Sequence, residues 1–171
     1  EFDISEDNIR EIGALTLSDA PQRLIDAGDL LFVIKGDSVV TVNIEDPGRP
    51  INLGGIALAS VRAGAVSGNY LYLVVYPSIC IYSINNPRRP HFISSILPIG
   101  QALKGVAVSG DIAFVAQYEA WMNPGLRLLD IHDPVRPTDF ASYDTPGTVL
   151  DLFINDGLLY LSCGEAGISV V

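Results

Sequence analysis

Apolar and polar residues along this chain form short alternating or continuous apolar runs, each bounded by glycine, proline, aspartate or asparagine. Leu30–Lys35 is almost continuously apolar, whereas Ser38–Ile44 alternates and is rich in β-branched residues. Both patterns are typical of β-strands, because successive side chains of a strand point to opposite faces of a sheet. No segment keeps the 3.6-residue apolar period of a capped amphipathic helix, so the sequence predicts an all-β fold with almost no helix.

Three turns of one composition separate these runs: 46–50, 86–90 and 133–137, each an Asp or Asn, a proline, two further residues and a second proline. The Asp or Asn side chain can accept a hydrogen bond from the backbone N–H two residues on, and the first proline fixes φ for the turn. The second proline cannot donate to a ladder and is suited to the start of a strand. Each turn therefore predicts the end of one strand and the beginning of the next.

These proline-bounded turns recur after 40 and 47 residues, and a second motif keeps the same period. It is a glycine and an Asp or Asn before an apolar strand, and in its fourth copy the glycine is shifted by one residue. Its copies are marked by Gly28, Gly68, Gly110 and Asp156. Two motifs at one period of about 40 to 50 residues, with four short strands in each unit, predict the blades of a β-propeller.

The predicted blades span approximately residues 18–57, 58–97, 98–143 and 144–171 of one domain, 1–171. The last unit has three strands, and residues 9–17 are predicted to supply its missing outer strand. In one interpretation this mixed blade closes a ring of four blades. In the other, the chain is half of a ring of seven or eight blades, whose remainder belongs to a longer protein or to a second copy. The absence of an initial Met predicts that the chain is processed or a fragment.

Three stretches resemble a known repeat family: Val106–Asp111, Leu128–Pro134 and Asp144–Gly147. They are similar to the LVIVD-repeat β-propellers, whose repeats run from a Val-Ile-Asp-Ile strand through a proline-bounded turn to Asp-Thr-Pro-Gly. The resemblance extends over essentially the whole chain. It implies a propeller, often on secreted or surface proteins of bacteria and archaea, and it implies no catalytic motif.

Composition excludes some classes of protein. The chain of 171 residues has 49% hydrophobic and 18% charged residues, which favours one folded domain over disorder. Its formal net charge of −10 argues against a general nucleic-acid binder, which needs a basic surface. No apolar run reaches the roughly 18 residues of a membrane span.

Few residues could take part in catalysis, metal binding or disulfide formation. Cys80 and Cys163 lie at non-equivalent positions of different units, which favours free thiols over a disulfide. His91 and His132 lie in turn regions far apart in sequence, with no carboxylates at metal-ligand or triad spacing. The sequence therefore indicates no cofactor, no metal site and no catalytic residues.

One insertion lengthens the third unit. It contains Tyr118, Trp121 and Met122, and its Trp and Met are the only ones in the chain. One interpretation is a loop folded over its own blade. The other is an exposed aromatic anchor for a protein partner or for self-association, since Trp is enriched at interface hot spots.

Three cations occur near the start of the first strand in consecutive units: Arg23, Arg62 and Lys104. If the first strand of each blade lines the axis, these residues predict a basic channel mouth that would attract a small anionic ligand or an acidic partner side chain. The structural alternative is that they form salt bridges with acids such as Asp26 or Asp151.

The sequence as a whole predicts a non-catalytic propeller that acts as a binding or assembly module at the cell surface or outside the cell. The alternative function is a ligand-binding sensor or propeller enzyme that uses the basic channel mouth.

Overall fold

The computed structural model describes residues 10–97, 102–118 and 124–171. Fifteen β-strands form in these residues, together with one short 3-10 helix at Gly164–Ala166. The strands are β1 Pro21–Ala27, β2 Leu30–Lys35, β3 Ser38–Asn43, β4 Ile51–Ala57, β5 Val61–Ser67, β6 Tyr70–Val75, β7 Ser78–Ser83, β8 His91–Ile96, β9 Ala102–Ser109, β10 Ile112–Tyr118, β11 Gly125–Asp130, β12 Thr138–Asp144, β13 Asp151–Asn155, β14 Leu158–Ser162 and β15 Ile168–Val170.

The strands form four antiparallel sheets, each a meander in chain order. Blades 1, 2 and 3 have four strands each (β1–β4, β5–β8 and β9–β12), and blade 4 has the three strands β13–β15. The first strands of neighbouring blades contact one another in the series β1, β5, β9, β13, as expected for strands nearest the axis. The predicted all-β fold of four propeller blades is confirmed.

The shifted glycine of the fourth hairpin has a conformational explanation. In blade 1, Gly28 has φ +71° at the first central position of a two-residue turn, which is the requirement of a type II′ hairpin. In blade 4 both central residues have positive φ, +51° at Asp156 and +78° at Gly157, which is the requirement of type I′. The glycine moves by one residue because the turn type changes, while the strand register of the blade is kept.

The proline-bounded turns form the predicted hydrogen bonds. The side-chain oxygens of Asp46, Asn86 and Asp133 accept from the backbone N–H two residues on, at 3.0, 3.2 and 3.0 Å. The same three residues also accept at their backbone carbonyls from the N–H three residues on. The side chain and the backbone thus close each turn together, which fixes where the outer strand of the blade begins.

The core lies between the blades. Each of three hydrophobic clusters joins one blade to the next, blade 1 to 2, 2 to 3 and 3 to 4. Phe32 on β2 and Leu73 on β6, for example, are fully buried at the junction of blades 1 and 2. Each sheet therefore has a forward face towards the next blade and a rear face towards the preceding blade.

The outer strand predicted at 9–17 differs in the structure, which describes it from residue 10 on; Ile9 lies outside the described residues. Residues 10–17 form no strand, and the sheet of blade 4 contains only β13, β14 and β15 in the part of the chain that is described. Leu15 and Leu17 instead pack on the rear face of blade 1. Residues 10–17 therefore do not complete blade 4 of their own chain, because they lie on blade 1.

Candidate binding surfaces

The forward face of blade 4 is apolar and open to solvent. We call it the blade 4 face; it consists of Phe153, Leu158, Tyr160, Ile168 and Val170. Phe153 is 59% exposed and Ile168 78%. The rings of Phe153 and Tyr160, which are paired across β13 and β14, stack with centroids 4.9 Å apart.

The equivalent residues of blades 1 and 2 are buried by the blade that follows, and that of blade 3 is partly buried. Tyr160 corresponds to Phe32, Tyr72 and Phe114, each the fourth residue after the first central residue of its hairpin turn. Phe32 and Tyr72 are buried in clusters with the next blade, and burial raises the pKa of Tyr72 to about 12. Within the described residues, the blade 4 face is thus an interblade face on which no following blade packs.

The rear face of blade 1 is the opposite end of the series. Leu24 on β1 is 64% exposed, whereas the equivalent Val106 and Leu152 are buried against the blade that precedes them. Farther from the axis, Leu15 and Leu17 cover Val33 and Val42 of this face.

The three predicted cations do not share one position. Arg62 and Lys104 are each the extra residue of a β-bulge, opposite β6 and β10 respectively. The equivalent residue of blade 1 is Gln22, and Arg23 lies one position farther along β1. Because neighbouring side chains of a strand point to opposite faces, the structure groups Arg62 with Lys104 and does not place Arg23 with them.

The alternative of salt bridges to Asp26 or Asp151 is wrong within the described residues. Neither carboxylate forms an ion pair there: Asp26 accepts from the N–H of Gly28 and Asp151 from that of Leu152. Arg62 instead lies over the ring of Tyr76, 5.2 Å from its centroid, which is a cation–π geometry.

The predicted aromatic anchor is only partly within the described residues. Tyr118 ends β10 and is 39% exposed. Trp121 and Met122 lie outside the described residues.

The remaining reactive side chains are dispersed. His132 Nδ1 lies 3.4 Å from Asp111 Oδ2, with both side chains largely exposed. Cys80 and Cys163 are free, as predicted, and burial raises the pKa of the Cys80 thiol. Among the residues described, no cluster of three or more His, Cys, Asp or Glu side chains could hold a metal ion, and no helix is long and apolar enough to cross a membrane.

The blade 4 face was not identified from the sequence. Its residues continue the aromatic and aliphatic pattern of the earlier blades, and that pattern does not indicate which blade lacks a neighbour. The available signal was the three-strand length of the last unit, which pointed to an incomplete blade.

Comparison with solved structures shows the same architecture at low sequence identity. The computationally designed Ika4 protein is 14% identical with a TM-score of 0.66, and the match covers 95% of this chain and 97% of that chain. The designed Ika8 protein is 13% identical with a TM-score of 0.57, and the match covers 86% of this chain and 44% of that chain. This chain therefore spans less than half the length of Ika8. Glutaminyl cyclase from Myxococcus xanthus is 10% identical with a TM-score of 0.59, and the match covers 86% of this chain and 72% of that chain. These likenesses concern the fold alone.

The comparison with curated proteins gives no match. The LVIVD repeat model, in contrast, matches residues 60–97 and 100–145. The two matched stretches coincide with blades 2 and 3, and the proline-bounded turns of both lie within them. Together with the four-blade architecture, these repeats show that the chain belongs to the LVIVD-repeat β-propellers.

Proposed function

We propose that this propeller is a non-catalytic binding and assembly module, secreted or displayed at the cell surface, that engages a protein partner through the blade 4 face. The observation that carries the proposal is the open interblade face, on which Phe153 and Ile168 are mostly exposed. A contiguous exposed apolar surface of this kind is typical of protein–protein interaction sites. The aromatic pair Phe153 and Tyr160 adds the residue type that is enriched at the centre of such interfaces.

A photo-crosslinking amino acid at position 168, in the intact protein in its native source, tests this proposal. The control is the same amino acid in place of Val135, an equally apolar residue that is 61% exposed in the proline-bounded turn of blade 3. The expected result is a covalent adduct with protein from position 168 and none from position 135. Failure to form an adduct at position 168 contradicts the proposal.

A second candidate function is binding of a small anionic ligand at the channel mouth, as a sensor or enzyme. It is favoured by the equivalent bulge positions of Arg62 and Lys104 on the neighbouring strands β5 and β9, since two cations at one level of an axis would focus a positive potential. Arg23 is not part of this site, because it lies at a different register position.

Titration with phosphate and polyphosphate at low salt tests the second candidate. Binding is expected for the wild type, weakened by salt and abolished in the double variant Arg62→Ala, Lys104→Ala. The matched control is Arg89→Ala, Arg136→Ala, which removes the same charge from exposed turns. Equal binding by the two double variants, or none by the wild type, excludes the site.

A further inference from the structure

The outer strands of blades 1 and 2 pack on the blade that follows. Ile56 on β4 and Leu58, just beyond it, belong to the hydrophobic cluster that contains Leu73 and Tyr82 of the rear face of blade 2. An outer strand therefore has two neighbours: the third strand of its own sheet, through backbone hydrogen bonds, and the rear face of the next blade, through side chains.

Residues 10–17 make the second of these contacts without the first. Leu15 and Leu17 pack on Val33 and Val42 of blade 1. Val33 has the register position in blade 1 that Leu73 has in blade 2, and Val42 has the position of Tyr82. The segment therefore occupies the place of an outer strand from a blade preceding blade 1. It forms no strand because no third strand lies beside it.

Contacts with the proline-bounded turns lead independently to the same placement. The outer strands of blades 1 and 2 each touch the turn of the next blade, and residues 10–17 touch the turn of blade 1 in the same way. The three contacts are those of Gly54 with Arg88, of Ser94 with Pro134 and of Gly13 with Pro47.

Blade 4 lacks what this segment offers. Its last strand, β15, pairs only with β14, so one edge of Ile168–Val170 has no strand partner in the described sheet. At the junction of blades 1 and 2, the side chain of Ile25 lies where a Cβ on Gly64 would be. The residues at these two register positions on the open faces are Phe153 of blade 4 and Leu24 of blade 1, both apolar and exposed.

We propose that two copies of this chain associate head to tail, with the blade 4 face of one copy on the rear face of blade 1 of the other. Residues 10–17 of each copy then pair with β15 of the other and complete its blade 4 as a fourth strand. Two such junctions close a ring of eight blades. This inference deepens the proposed function by naming the partner of the blade 4 face.

A second copy is favoured as occupant because this chain carries both an open forward face and an open rear face, and because the new junction continues the three interblade junctions already in the chain. The match to only 44% of Ika8 also means that two copies together approach the length of that longer propeller chain.

The mass of the purified chain, measured by sedimentation over a range of concentrations, tests the association. The expected result is a dimer that does not grow further, since a closed ring leaves no free face. Phe153→Asp and Leu24→Asp should each raise the dissociation constant at least about thirty-fold, as for a hot-spot residue. Val135→Asp is the control, and circular dichroism establishes that each variant is folded. A monomer, or open-ended oligomers of the wild type, overturns the proposal.

Mixing the two variants distinguishes a head-to-tail junction from a symmetric one. The Phe153→Asp chain keeps an intact rear face of blade 1, and the Leu24→Asp chain keeps an intact blade 4 face. Their mixture should therefore form a one-to-one dimer through a single intact junction, whereas each variant alone stays monomeric. No recovery on mixing overturns the head-to-tail arrangement.

Amide hydrogen exchange tests whether residues 10–17 of one copy pair with β15 of the other. The backbone amides of residues 10–17 and of β15 should be protected in the wild-type dimer and should exchange rapidly in the Phe153→Asp monomer. Rapid exchange of residues 10–17 in the dimer contradicts completion of blade 4 by the second copy. If position 168 crosslinks only to a different protein, this inference fails while the proposed function stands; if it crosslinks to nothing, both fail.

Discussion

The forward faces of blades 1 and 4 carry large apolar residues at equivalent positions, but within the described residues only blade 1 has a following blade packed on that face. Ile25 is 6% exposed and Phe32 fully buried on blade 1, whereas Phe153, at the position of Ile25, is 59% exposed on blade 4. The residues compared on the two blades are all large and apolar, so residue type does not explain the difference in exposure. In a repeat protein each unit is stabilised by its neighbours, and the same face is core in one blade and surface in another.

The two inner blades have neighbours on both sides, and they are also the blades that match the family model. Gly64 of blade 2 admits the side chain of Ile25 from blade 1. Blade 1 has Leu24 at that position, and it is exposed. Blade 1 therefore departs from blade 2 at a position where blade 2 contacts the preceding blade and blade 1 is exposed.

The largest expected effect comes from truncating the two equivalent faces. Phe32→Ala should lower the free energy of unfolding by about 3–5 kcal/mol, because it opens a cavity at a buried junction. Phe153→Ala should lower it by about 1 kcal/mol at protein concentrations that keep the chain monomeric, since it loses mainly the stacking on Tyr160. Urea denaturation measures both. Equal losses would show that the blade 4 face is core in the monomer.

A second prediction concerns β12, the outer strand of blade 3. In blade 3, Arg127 on β11 donates from Nε to both carboxylate oxygens of Asp139 on β12, at 3.1 Å each, and both side chains are mostly buried. Arg127→Gln should cost about 3 kcal/mol, because it removes the guanidinium that pairs with a largely buried carboxylate. Arg136→Gln, in an exposed turn, is the control for loss of charge. Comparable stability of the two variants in urea would mean that β12 is held without this ion pair.

Local features of the fold could be predicted from the sequence, because they depend on residues close together in the chain. The strand Leu30–Lys35 follows from its continuous apolar run, and the turn at Asp133 follows from proline and aspartate chemistry; both are confirmed. The placement of residues 10–17 could not be predicted in the same way. Their apolar pattern suits an outer strand, but whether a third strand lies beside them is decided by tertiary packing.

The candidate sites were less predictable for the same reason. Arg23 lies five residues before its hairpin glycine, whereas Arg62 and Lys104 each lie six before theirs. The sixth residue before Gly28 is Gln22, which is the extra residue of the β-bulge in blade 1. Because successive side chains of a strand point to opposite faces, this difference of one residue separates Arg23 from the other two cations. The exposure of Phe153 depends on the absence of a following blade, which no property of the residue itself reveals. The anchor proposed at Trp121 remains a prediction.

The third prediction concerns the turns that start the outer strands. Asp133→Ala removes the side-chain acceptor for the N–H of Val135 and should lower the free energy of unfolding by about 1 kcal/mol. Asp133→Asn keeps the acceptor and is the matched control, since Asn86 makes the same bond in blade 2. Thermal or urea unfolding of the pair tests this. A loss of the same size in Asp133→Asn would assign the effect to charge instead of the hydrogen bond.

The smallest expected effect concerns the contact that ties the chain before β1 to the rear face of blade 1. Lys35 is buried at the end of β2, and its Nζ donates to Asp19 Oδ2 at 2.7 Å and to Ser18 at 3.0 Å. The hydrogen bond from Lys35 lowers the pKa of Asp19, helped by one from Ser18 and by the charge of Lys35. A carboxyl whose pKa is lower in the folded state stabilises the fold above its ordinary pKa, and this contribution is lost as the pH falls through that ordinary value towards the lower folded-state pKa.

Asp19→Asn should therefore lose less stability than the wild type between neutral pH and pH of about 3. Urea unfolding at both pH values measures the difference, with Glu165→Gln as the control for loss of one exposed carboxylate. The physical reason is that only a titrating partner of Lys35 can add this pH dependence. Identical pH dependence in Asp19→Asn and the wild type would mean that residues 18 and 19 do not hold the N-terminal segment against blade 1 in solution. Residues 10–17 would then also lack the anchor that keeps them in the place of an outer strand.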